Sequence, residues 1–150
     1  MSRLYVPPNE YRLIKPLIDL AEIVREKIKK EEEKEVSKYR ITKVLEPLFD
    51  LVSGSETSLA VGEMIKILVT DFGLSEEEKT KASAVVSSLV EQIMIIRRTK
   101  SPTYTYNLIR RMRDLFEMYA FNSIIDLRYY YTHRFETVHK LSFNSIIDLH

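Results

Sequence analysis

The sequence predicts a mainly α-helical fold: a single-domain bundle of about five helices over residues 1–127, then a Tyr-rich tail over residues 128–150 that is β-like or irregular. Three observations carry this expectation. Apolar residues recur at three- and four-residue spacing through most of the chain, only three glycines interrupt it, and strict alternation is confined to the tail. A chain of 150 residues can bury a core without staples, and with no cysteine it has neither disulfides nor thiolate metal sites.

The first helix follows Pro7-Pro8-Asn9, an extended entry and an N-cap. Leu13, Ile14, Leu17, Ile18, Leu20, Ala21 and Val24 form its apolar stripe. Pro16 removes one backbone donor and belongs in an early turn or at a kink. Residues 25–38 (REKIKKEEEKEVSK) have almost no apolar face, so they read as a solvated helix end or a mobile segment. The acidic run Glu31–Glu33 is read as solvated surface.

A second helix is expected over residues 40–52, with Pro47 inside it; Ser53-Gly54-Ser55 supplies its stop and the next N-cap. The third, over residues 59–72, is strongly apolar through Leu59, Val61, Met64, Ile65, Ile67 and Leu68. The punctuation after it is the clearest in the chain. Gly73 suits a C′ position, Leu74 a hydrophobic staple, and Ser75-Glu76-Glu77-Glu78 a capping box.

The fourth helix should run to about Arg98. Val85, Val86, Leu89, Val90, Ile93, Met94 and Ile96 cover over half its circumference, which places it centrally. Ser101-Pro102 reads as an N-cap with Pro at N1, opening a fifth helix striped by Leu108, Ile109, Met112, Leu115, Phe116 and Tyr119. In the tail, Tyr129, Tyr131, His133, Phe135, Thr137, His139 and Leu141 alternate with their neighbours, which favours β structure; a helix continuing from Ile124 and Ile125 is the alternative.

Net charge is only +1, but its distribution is uneven. Residues 1–96 carry −3, residues 97–113 carry +6, and residues 114–150 carry −2. The central segment, RRTKSPTYTYNLIRRMR, holds Arg97, Arg98, Lys100, Arg110, Arg111 and Arg113 with no acid. Phosphate binding needs cations and hydroxyl or amide donors, and base stacking needs flat π faces. Arg97, Arg98, Lys100, Arg110 and Arg111 are therefore the expected phosphate contacts. Ser101 and Thr103 stand beside the free N–H groups of a helix start, and Tyr104 or Tyr106 is expected to stack.

Competing structural roles exist. Arg97 and Arg98 can complement the negative end of the fourth helix, Arg113 can pair with Glu117 and Arg111 with Asp114. An acidic protein partner or plain surface would also suit the segment. A helix-turn-helix drawn over residues 57–90 is rejected, because its second helix opens with Glu76-Glu77-Glu78, which phosphates repel.

No nucleophile elbow, HExxH, P-loop or GxGxxG motif is present, so no catalytic residue and no cofactor are assigned and no enzyme is expected. His133, Glu136 and His139 fail as metal ligands because neither strand nor helix spacing converges them. No apolar run approaches a membrane span, and the N-terminus lacks a signal-peptide core; the expectation is a soluble, cytoplasmic protein with no membrane partner. Few Gly, one Gln, no Cys and abundant Lys, Glu, Ile and Tyr fit an organism living hot.

Residues 121–127 and 143–149 are identical: FNSIIDL. Two such matches point to a short duplication, with a docking element for self-assembly as the functional alternative. The corresponding candidate interface is Tyr129, Tyr131, Phe135, Phe143, Ile146 and Ile147.

The segment TYTYNLIRRMRDLFEMY resembles a polar-x-x-Ile-Arg-Lys/Arg helix of the small helical subunits of type III CRISPR effector complexes. That resemblance, under 20 residues long, implies a non-catalytic subunit whose Arg110, Arg111 and Arg113 face nucleic acid. Helical coat proteins of filamentous viruses from hot springs share the overall properties. The leading expectation is an accessory nucleic-acid-binding subunit, for DNA or RNA, with protein partners or a homo-oligomer. The alternative is a structural or coat-like interaction module using the tail.

Overall fold

The computed structural model describes residues 8–29 and 38–121, and these are helical apart from short connections. The elements are α1 (Pro8–Lys29), α2 (Lys38–Thr42), a 3-10 turn (Lys43–Leu45), α3 (Glu46–Val52), α4 (Thr57–Phe72), α5 (Glu76–Thr99) and α6 (Pro102–Phe121). No strand occurs among the described residues. The acidic run at 31–33, the remainder of FNSIIDL's first copy after Phe121, its second copy, and the candidate interface at 129–147 lie outside them.

α5 is the central element, packing against α1, α3, α4 and α6, while α1 also covers α6. Its position follows from its sequence, since Ala82, Val86, Leu89, Val90, Ile93 and Ile96 form one broad buried face, with Val85 and Met94 half-buried at its edges. From α1, Leu13, Leu17, Leu20 and Val24 enter the same core, joined by Leu108, Met112, Phe116 and Tyr119 of α6. Pro16 lies well inside α1 on its buried side. The carbonyl it leaves unpaired belongs to exposed Arg12, where water can serve it.

The second helix expected from the sequence is composite. Pro47 has no N–H for the carbonyl of Lys43, and its ring crowds that carbonyl in a continuous α-helix. The chain answers with the 3-10 turn at Lys43–Leu45 and restarts as α3, where Pro47 sits in the first turn. Glu56, not Ser55, is the N-cap of α4, and it makes no side-chain capping bond. Ser55 instead donates its N–H to the Asp50 carbonyl at 3.0 Å, closing the turn in which Gly54 has φ +107°.

The α4–α5 connection matches its sequence signals. Gly73 is left-handed (φ +65°), its N–H bonding the Val69 carbonyl at 3.0 Å, and Leu74 is buried. Ser75 Oγ accepts from the Glu78 N–H at 3.2 Å, while Glu78 Oε1 accepts from the Ser75 N–H at 2.8 Å. Lys27 Nζ of α1 lies 2.7 Å from the same carboxylate.

α4 carries more apolar surface than the bundle covers. Leu59, expected in its stripe, is 57% exposed, and Val69 is 37% exposed. α4 and α5 together border an open groove of about 980 Å³, floored by Val61, Ile65, Val69, Val90 and Met94.

Candidate nucleic-acid interface

The basic segment forms the corner where α5 hands over to α6, and the fold distributes its side chains in several directions. Arg97 turns toward α3. Its Nε donates to the carbonyl oxygen of Val52, the last residue of α3, at 3.3 Å, so this guanidinium serves the end of α3 while, with Arg98, it also sits in the last turn of its own helix. Arg97 is half-buried in the process, which withdraws it from the expected phosphate contacts.

Arg98, one position on, is exposed and borders the α4–α5 groove. Lys100 closes α5 as its C-cap, with its N–H on the Ile96 carbonyl at 2.8 Å. Its ammonium lies 5.2 Å from the centre of the Tyr104 ring, a cation–π contact that covers one face of a half-buried ring.

Ser101 is the N-cap that the sequence indicates. Its Oγ accepts the Tyr104 N–H at 3.0 Å, and its carbonyl accepts both the N–H and the Oγ1–H of buried Thr105 at 3.1 Å. With Pro102 lacking a donor, the helix start therefore offers fewer free amides than expected. The N–H and hydroxyl of exposed Thr103 remain to face an anion.

Further along α6, Tyr106 is 46% exposed and tilted by 58° against Phe49 of α3, with ring centroids 5.1 Å apart. One side of its ring is therefore occupied, while the rest faces outward. Arg113 covers Phe49 at 5.4 Å and pairs with Glu46 Oε2 at 3.3 Å, in place of the expected Glu117. Arg110 and Arg111 are exposed, and neither forms an ion pair or hydrogen bond with a described residue; Arg111 does not pair with Asp114.

Two features have no local signal in the sequence. Folding brings an acid of α3, Glu46, against a stretch that has none of its own. It also sets Lys66 and Lys79 around the groove that Arg98 closes. Lys79, Ser83, Ser87, Met94 and Arg98 do recur along one side of a helix, but nothing in the sequence says that α4 lies opposite.

Among the described residues no group of three His, Asp or Glu side chains converges on a possible metal position, and no helix is long and apolar enough to cross a membrane. The chain matches no protein-family profile, no curated protein and no solved structure.

Proposed function

We propose that this protein is a non-catalytic nucleic-acid-binding or accessory subunit of a nucleoprotein complex. It contacts phosphates through Arg110 and Arg111 on the outer side of α6, with Lys100 and Thr103 at the helix start and Arg98 across the corner. The observation that supports this reading most is electrostatic. Arg98, Lys100, Arg110 and Arg111 are all exposed and none is neutralised by an ion pair with a described residue. Four cations presented this way suit the regular charge of a polynucleotide backbone.

The open side of Tyr106 adds a stacking surface one turn from Arg110, which favours a single strand over a duplex. The resemblance of the α6 sequence to RNA-path helices of type III CRISPR subunits agrees with this reading. Fluorescence anisotropy with labelled single-stranded RNA, single-stranded DNA and duplex DNA at low salt tests it. Binding of a single strand is expected, and its comparison with the duplex identifies the preferred form. Failure of all three to bind contradicts the proposal.

A further inference from the structure

The α4–α5 groove and the second FNSIIDL copy are two features that phosphate contact at the corner does not use. We infer that the groove is the docking site of residues 143–149 of the same chain.

The apolar patterns of groove and segment match. On α4, Val61, Ile65 and Val69 recur every four residues along the groove floor, and Val90 and Met94 do the same on α5. Residues 143–149 carry Phe143, Ile146 and Ile147 at positions i, i+3 and i+4, the spacing with which a helical turn presents one apolar side to such a floor.

Charge selects among possible occupants. Lys66, Lys79 and Arg98 rim the groove against the single acid Glu91. A second copy of the groove would oppose cations to cations, which disfavours groove-to-groove pairing. A polynucleotide would find no aromatic side chain on the floor for its bases. Residues 143–149 bring apolar side chains together with one acid, Asp148.

Chain length permits the connection, and distinguishes the two copies. The first copy begins at Phe121, which is the last residue of α6 and follows buried Tyr119 and Ala120. The second begins 22 residues later, a tether of up to about 75 Å when extended. That exceeds the roughly 35 Å width of a domain of this size, so residues 143–149 can reach the groove of their own chain.

Methyl NMR of the full chain labelled at methionine reads groove occupancy directly. Met94 lies in the groove, while Met64 and Met112 are fully buried in the core and report whether the fold is intact. Ile146→Asp/Ile147→Asp should move the Met94 resonance and leave Met64 and Met112 in place. A synthetic peptide of residues 141–150 added to that variant should return Met94 toward its wild-type position. The same peptide should bind about fivefold more weakly with Asp148→Lys.

Adding Val69→Asp, at an exposed floor position, to the tail variant should abolish the response to peptide. The mass should be that of a monomer and stay unchanged on introducing Ile146→Asp/Ile147→Asp; a larger mass that falls with these substitutions places the segment in a neighbouring copy and overturns docking within the chain. A Met94 resonance that neither the tail substitutions nor the peptide moves overturns the inference. So does movement of Met94 by single-stranded RNA but not by peptide.

Discussion

Arg97 Nε donates to the carbonyl oxygen of Val52 at 3.3 Å, joining the last turn of α5 to the end of α3. Arg40 does the equivalent for α4: its guanidinium donates to the Asp71 carbonyl and lies 4.7 Å above the Phe72 ring. Two helix ends in this bundle are thus completed by arginines from other elements.

Replacing Arg97 by Met keeps the aliphatic stem and removes the donor. The expected loss is about 1 kcal/mol, below the usual range for a charged hydrogen bond because the contact is long and only half-buried. Arg98→Gln should change stability by less than about 0.5 kcal/mol, since that side chain is exposed and makes no such bond. Urea denaturation of the two variants checks the difference; equal effects contradict the assignment.

The capping box predicts an acid-sensitive joint. The Lys27 ammonium and then the Ser75 backbone N–H hold the Glu78 carboxyl down from its ordinary 4.5 to about 2. A carboxylate depressed by folding contributes stability that is complete above its unfolded pKa. That contribution is lost as pH falls through the folded value. Wild-type Tm should therefore decline between about pH 4.5 and 2 more steeply than that of Glu78→Gln. Parallel profiles would show that Glu78 carries no such linkage.

Two glycines should respond in opposite directions to the same substitution. Gly62 lies within α4, and a Cβ added there would meet nothing within 4 Å, so Gly62→Ala should stabilise by about 0.5–1 kcal/mol. Gly73 holds φ +65°, and Gly73→Ala should destabilise by about 1 kcal/mol. Thermal melts of both variants decide whether α4 ends where described.

Tyr106 should separate from Tyr104 in binding. Tyr106→Ala is expected to weaken single-stranded nucleic acid by about tenfold, within the range for loss of one stacked base. Tyr104→Leu, which removes the ring but keeps apolar bulk, should have little effect, because Lys100 already covers that ring. Tyr106→Trp should retain affinity, which distinguishes stacking from loss of the Phe49 contact. Wild-type affinity in Tyr106→Ala would argue against stacking there.

What could be read from the sequence follows the separation of interacting residues. Gly73, Ser75 and Glu78 are legible because their capping partners lie within a few positions, as are those of Ser101, whereas the Lys27 partner of Glu78, 51 residues away, was not. Central placement of α5 followed from its broad apolar circumference. The role of Arg97 was not legible, since Val52 is 45 residues away, and Glu46 is 67 residues from Arg113. The charge count of 97–113 was correct, yet the fold directs two of its six cations to structural contacts, Arg97 to the Val52 carbonyl and Arg113 to Glu46 of α3.

The salt dependence of single-strand binding, compared between wild type and Arg110→Glu/Arg111→Glu, tests the central claim most directly. Four phosphate contacts give a slope of log K against log salt of about −2.8 for a single strand, so affinity should fall roughly 50-fold between 50 and 200 mM. Loss of two contacts should reduce the slope to about −1.4 and weaken binding throughout. A variant with the wild-type slope and affinity contradicts phosphate contact by Arg110 and Arg111.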